Sequence, residues 1–191
     1  MGLIEEALLC IDGIEYLLAL DEAVLGALGD SVRSERERVI ELSHVRWATV
    51  NAITAVDLCA AALTKLLNVP WNSRREPSLS DWKRGRLRKF RESTPEAAET
   101  WVNSHDRSYN SIVKWSRHRL VHGTIERIGD PPGDRSANLW LFDLKGVHSL
   151  RIDGRGIMEI SARVAKDSVG RFIAALDAEL LAPGEEPLVT D

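Results

Sequence analysis

Two arginines and two histidines fall within six consecutive positions, Arg117, His118, Arg119 and His122, with Lys114 just upstream. They end a run in which Ile112, Val113, Trp115, Leu120 and Val121 supply helical apolar content. Gly123 follows, where a left-handed C-cap glycine belongs. An imidazole near its ordinary pKa of about 6.5 takes or gives a proton at neutral pH. A neighbouring guanidinium grips a phosphate through paired N–H donors and stabilises the charge of a pentacoordinate transition state. Arg117 and His122 together therefore suit acid–base work on a phosphodiester. For RNA, the 2′-hydroxyl supplies the nucleophile and no metal is required.

Two other readings use the same residues. Cations at a helix C-terminus cap free carbonyls and meet the negative end of the dipole, which accounts for one or two of the four. His118 and His122, four apart on one helix face, also have two-ligand metal spacing. Against a metal, Arg119 stands where a zinc protease has its glutamate, and two arginines repel a dication. The remaining candidate ligands, His105 and Asp106, lie most of a helix away. On an ideal helix Arg117 and His122 point about 140° apart. The length of arginine and the fraying end before Gly123 let both border one cleft.

The elements that must position these residues are mostly helical. Leu3, Ile4, Ala7, Leu8, Ile11, Ile14, Leu17 and Leu18 predict a helix over 2–27, weakened by Gly13 and Gly26. Residues 35–69 predict a long helix apolar on much of its circumference, hence central to a bundle or covered by a second subunit. Its small residues, including Ala48, Ala52 and Ala60, permit close approach, and Pro70 stops it. Residues 71–80 predict a loop. Residues 81–92 predict a short basic helix anchored by Trp82, Leu87 and Phe90. Thr94 as N-cap and Pro95 at the first position predict a helix from 95 toward 122, bent near 104–106.

After the motif the period changes. Residues 139–142 and 147–152 predict strands. Asp153, Gly154, Arg155 and Gly156 predict a turn, and 157–160 a third strand. Ser161 then caps a last helix over 162–181, and 183–191 form a tail.

The chain has 191 residues, 44% of them hydrophobic and 28% charged, as in one globular domain. Its net charge of −4 is unevenly spread. Residues 1–70 hold 5 Lys/Arg against 11 Asp/Glu, and 128–191 hold 7 against 11, while 71–127 hold 13 against 7. The basic middle, where the motif lies, suits a local polyanion contact. On 81–92 the bland alternative is a solvated face; the functional one is a grip on phosphates by Arg84, Arg88 and Arg91. Cys10 and Cys59 sit in apolar helical patterns and read as free thiols rather than a disulfide framework. The acidic start lacks the basic region of a secretory signal, and Asp57, Lys65 and Asn68 interrupt the longest apolar stretch. A cytoplasmic protein without a membrane partner is the expectation.

The sequence Arg117-His118-Arg119-Leu120-Val121-His122 resembles the Arg-x(4–6)-His signature of the HEPN superfamily, where a polar residue commonly follows the arginine. The resemblance covers roughly residues 1–127. It implies an all-α, up-and-down bundle of four to five helices, here with a small β-hairpin or meander (138–161) before the C-terminal helix. The whole would be one domain over 1–191, its helical core 1–127 plus 162–181. The resemblance further implies a homodimer that brings two motifs to one cleft, and a metal-independent, cofactor-free endoribonuclease of toxin or defence systems, with an antitoxin as a further partner. By position, Arg117 and His122 would be catalytic, and His118 would support the substrate or the partner motif. Arg119 and Lys114 would add RNA contacts. Some HEPN proteins lack activity, so a non-catalytic module binding protein or nucleotide is the alternative.

Overall fold

The computed structural model describes residues 2–28, 35–105, 138–142 and 149–179. It is mostly helical. The elements are α1 (Leu3–Leu28), α2 (Glu35–Leu66), α3 (Leu79–Arg84), a 3-10 turn (Arg88–Ser93), α4 (Glu96–Asn103), β1 (Asn138–Phe142), β2 (Ser149–Asp153) and α5 (Gly154–Glu179). The last stretch of the chain, 180–191, which includes the expected tail, lies outside the described residues.

α2 is the central helix. It packs against α1, α5 and α3. Its alanines 48, 52, 55, 60 and 61 are fully buried with Val45, Val56, Cys59 and Leu63, so neighbouring helices approach it closely on several sides. Burial without a counter-ion pushes the Cys59 thiol up to about 12, and Cys10 is raised by partial burial and by Glu6. Both cysteines are free. The window at 39–66 is long and apolar enough to cross a membrane by composition, despite Asp57 and Lys65, but 67% of it is buried inside the protein. It has the packing of a core helix.

The chain leaves α2 three residues earlier than its apolar pattern ends. Asn68 takes the left-handed conformation, with φ 48°. The Val69 amide donates to the Thr64 carbonyl and the Asn68 amide to the Lys65 carbonyl. This is a Schellman closure with asparagine in the place usually held by glycine. Pro70 therefore follows an end that Asn68 has already made.

The basic segment at 81–92 is two pieces rather than one helix. α3 starts at Leu79, its first turn capped by carboxylates. Asp81 accepts from the Ser78 amide (2.9 Å) and hydroxyl (2.8 Å), and Asp57 of α2 accepts from the Leu79 amide (3.0 Å). α3 stops at Gly85, whose amide donates to the Asp81 carbonyl at 3.0 Å. A Cβ at Gly85 would lie 2.8 Å from the Asp81 Cα. Gly85→Ala should therefore displace backbone and cost about 1–3 kcal/mol. A denaturant midpoint equal to that of the parent would contradict this packing.

Two further expectations are corrected. Pro95, with ψ 144°, is the N-cap of α4 rather than its first helical residue. Thr94 instead donates its hydroxyl to the Phe90 carbonyl at 2.9 Å, closing the 3-10 turn behind it. The turn at 153–156 and the strand at 157–160 are absent: α5 begins at Gly154. A strand would send Ile157 and Met158 to opposite faces, yet both are fully buried, and Ser161, Ala165, Ser168 and Phe172 continue the stripe at helical steps. Gly154 serves close packing here. A Cβ there would sit 2.7 Å from a Glu41 carboxylate oxygen, and that carboxylate lies at the positive end of the α5 dipole. β1 and β2 pair antiparallel, Leu139 opposite Ile152 and Leu141 opposite Leu150.

Candidate functional site

Lys114, Arg117, His118, Arg119 and His122 lie outside the described residues, as does Asp106. What is described is the framework on either side of them, and the basic segment that precedes it.

That segment is held by its apolar anchors. Trp82 is fully buried, and its indole N–H is shared between the Ala60 carbonyl (3.2 Å) and the Thr64 hydroxyl (3.0 Å) on α2. Leu87 is buried beside it, and Phe90 is half-buried beneath the Lys89 ammonium, 4.9 Å from the ring centre. With these side chains inward, Arg84, Arg86 and Arg88 stand exposed. Among the described residues none of the three forms an ion pair. Arg91 belongs to the 3-10 turn. These cations sit on backbone that Trp82 and Leu87 hold against α2, which suits a contact with a polyanion.

The loop before α3 is braced by a pair that the sequence reading passed over. Arg75 meets Asp81 through two N–H donors at 2.8 and 2.7 Å, and the Arg75 guanidinium stacks 5.4 Å from the Trp71 ring centre. Burial raises the Asp81 carboxyl, but the Arg75 and Ser78 hydrogen bonds outweigh it and hold the group below the ordinary carboxylate range. A depressed pKa stabilises the fold above the unfolded value of about 3.9 and is lost as pH falls through the folded value. Acid titration should thus show the parent losing stability below about pH 4, with a shallower decline in Asp81→Asn. Parallel acid limbs would contradict the assignment. The signal for this network was present in the sequence: Ser78 and Asp81 have capping-box spacing.

On the other side stands α4, which ends at Asn103, about fourteen residues before Arg117 in the sequence. Its end is fixed by His105, which is 2% exposed. His105 Nδ1 lies 2.8 Å from the Trp101 carbonyl, and Nε2 lies 2.6 Å from the Ser168 hydroxyl on α5. A carbonyl only accepts, so Nδ1 carries the proton and Nε2 accepts from Ser168. The Trp101 indole donates to the Ser168 carbonyl at 2.9 Å. His105 is thus a structural bridge between α4 and α5. Among the described residues no cluster of three His, Cys, Asp or Glu could hold a metal ion. A groove of about 470 Å³ runs between α4 and α5, with Trp101 and Ala174 in its wall and Glu96 and Arg171 contributing charge.

No family model, no curated protein and no solved structure matches this chain. The functional reading therefore rests on the residues themselves.

Proposed function

We propose that this chain is a metal-independent endoribonuclease of HEPN type, acting in the cytoplasm as a homodimeric toxin or defence component. The observation that carries the reading is the pair Arg117 and His122, with polar His118 between and Gly123 after. In this reading His122 exchanges the proton of the attacking 2′-hydroxyl or of the leaving 5′-oxygen, and Arg117 stabilises the phosphorane. His118 supports the substrate or the partner's motif, and Arg119 and Lys114 hold the adjacent backbone. Arg84, Arg88 and Arg91 hold flanking phosphates. The exposure of Arg84 and Arg88 on an anchored turn supports that last assignment. The strand pair is an addition to the helical core, and a small antitoxin is the matching partner.

The test is incubation of the purified protein with a mixed RNA pool in excess chelator. Cleavage is expected, together with slowed growth on expression that Arg117→Ala relieves. RNA left intact at every protein concentration would overturn the reading, and a monomer in sedimentation at micromolar concentration would overturn the shared cleft.

One observation favours a second reading, a non-catalytic binding module: large apolar side chains are exposed on two adjacent helices, Tyr16 at 68% and Trp47 at 60%. That reading expects a stable complex and no cleavage.

A further inference from the structure

α1 and α2 run antiparallel, and one close approach fixes their register. A Cβ at Gly13 would lie 2.9 Å from the Asn51 side-chain nitrogen. Tyr16 is three residues beyond Gly13, and Trp47 four residues before Asn51. At 1.5 Å per residue the two aromatics stand at about the same level, on either side of the interhelical groove. α5 occupies the opposite side of the same pair, where Lys166 pairs with Glu15, and Arg155 with Glu22 at 2.6 Å. Among the described residues nothing covers the outer side: Leu9 is 52% exposed, Leu20 37% and Ile40 43%, around Tyr16 and Trp47. Leu9, Tyr16 and Leu20 follow one another at helical steps over about 16 Å of α1, enough for three turns of a partner helix.

On the α1 half of this strip the charge has one sign. α1 contains six acidic residues and no Lys or Arg. Glu15 and Glu22 are spent on α5, whereas Glu5 and Asp12, both exposed, alternate with Leu9 and Tyr16 on the outward stripe. Large apolar anchors at helical spacing, interleaved with carboxylates, complement an amphipathic helix whose polar flanks are basic. A second copy of this chain fits less well, since it would bring another wholly acidic α1 to the same contact.

We propose that the outer α1–α2 face is a docking site for a cationic amphipathic helix of another protein. The apolar side of that helix seats between Tyr16 and Trp47, and its lysines or arginines meet Glu5 and Asp12. The site is separate from the residues assigned to RNA cleavage and does not depend on that activity.

The experiment titrates the full chain by calorimetry with a leucine–lysine peptide of about four helical turns. Its leucine–glutamate counterpart is run beside it. The lysine peptide should bind and the glutamate peptide should not. Tyr16→Lys and Trp47→Lys, at exposed positions that leave the helices folded by circular dichroism, should each weaken binding at least tenfold. Glu5→Gln with Asp12→Asn should weaken it and flatten its salt dependence. Equal binding of both peptides, or unchanged binding by the Tyr16 and Trp47 variants, would overturn the proposal. So would a parent dimer that Trp47→Lys converts to monomer, since the face would then belong to a second copy. RNA cleavage by the same variants should be unchanged, so this proposal and the nuclease reading fail independently.

Discussion

Replacing His122 by Ala should lower RNA cleavage by roughly two to four orders of magnitude while leaving the protein folded, the range expected for losing a positioned proton-transfer group. Arg117→Ala should cost a similar factor for a different reason. In the proposed mechanism the guanidinium would stabilise charge that develops only at the pentacoordinate phosphorus, so the rate should fall more than substrate binding does. Arg84→Ala and Arg88→Ala provide the contrast. They should raise the apparent KM and reduce its salt dependence with little change in kcat, because a backbone contact binds substrate and transition state alike. Single-turnover cleavage at matched salt separates the two patterns. Cleavage by His122→Ala at the parental rate would remove that residue from the mechanism.

Trp101→Ala should be the most damaging single truncation in the described core, destabilising the fold by about 3–5 kcal/mol. At roughly 2–4 °C per kcal/mol for a chain of this size, melting should fall by about 10 °C. Trp101 is 2% exposed and packs at 4.9 Å between ring centres against both His105 and Phe172. Its loss leaves a cavity and removes the indole's hydrogen bond to the Ser168 carbonyl, which keeps its place inside α5, so lost packing is the larger part of the cost. The damage also loosens the His105–Ser168 bridge at the end of α4. Ser168→Ala separates these contributions: it deletes the hydroxyl given to His105 and keeps the indole in place. Its cost should be about 1 kcal/mol, within the usual range for one hydrogen bond. Calorimetric melting of both variants checks the order, and a Ser168→Ala variant as unstable as Trp101→Ala would contradict it.

The helical character of the chain was legible because its apolar residues keep a period near 3.6 over long stretches. α1 and α2 begin and end within a few residues of where that pattern places them. The differences come from contacts that the apolar period does not carry, some between elements and some within a single turn. Gly154 and Gly156 carry turn composition, yet α5 runs through both, since the Glu41 carboxylate beside Gly154 leaves no room for a side chain there. Gly85 sits inside a basic helical run and ends α3 through its approach to Asp81. The bridging role of His105 has no local signal, since the Ser168 hydroxyl it bonds to is 63 residues away. The anchoring roles of Trp82, Leu87 and Phe90 were readable, since a basic segment with three large apolar residues must turn them toward something. The exposure of Trp47 was not: it lies near the apolar stripe of α2, and only the positions of α1 and α5 decide which part of that stripe stays uncovered.

The central claim is attack by the RNA's own 2′-hydroxyl under the control of Arg117 and His122 without a metal. The most direct measurement is mass analysis of the 3′ ends released from a defined RNA by the parent protein in excess chelator. The expected products carry 2′,3′-cyclic phosphate ends, with none formed above background by Arg117→Ala or His122→Ala. Products that carry a free 3′-hydroxyl, or cleavage that appears only when a divalent metal is restored, would contradict it.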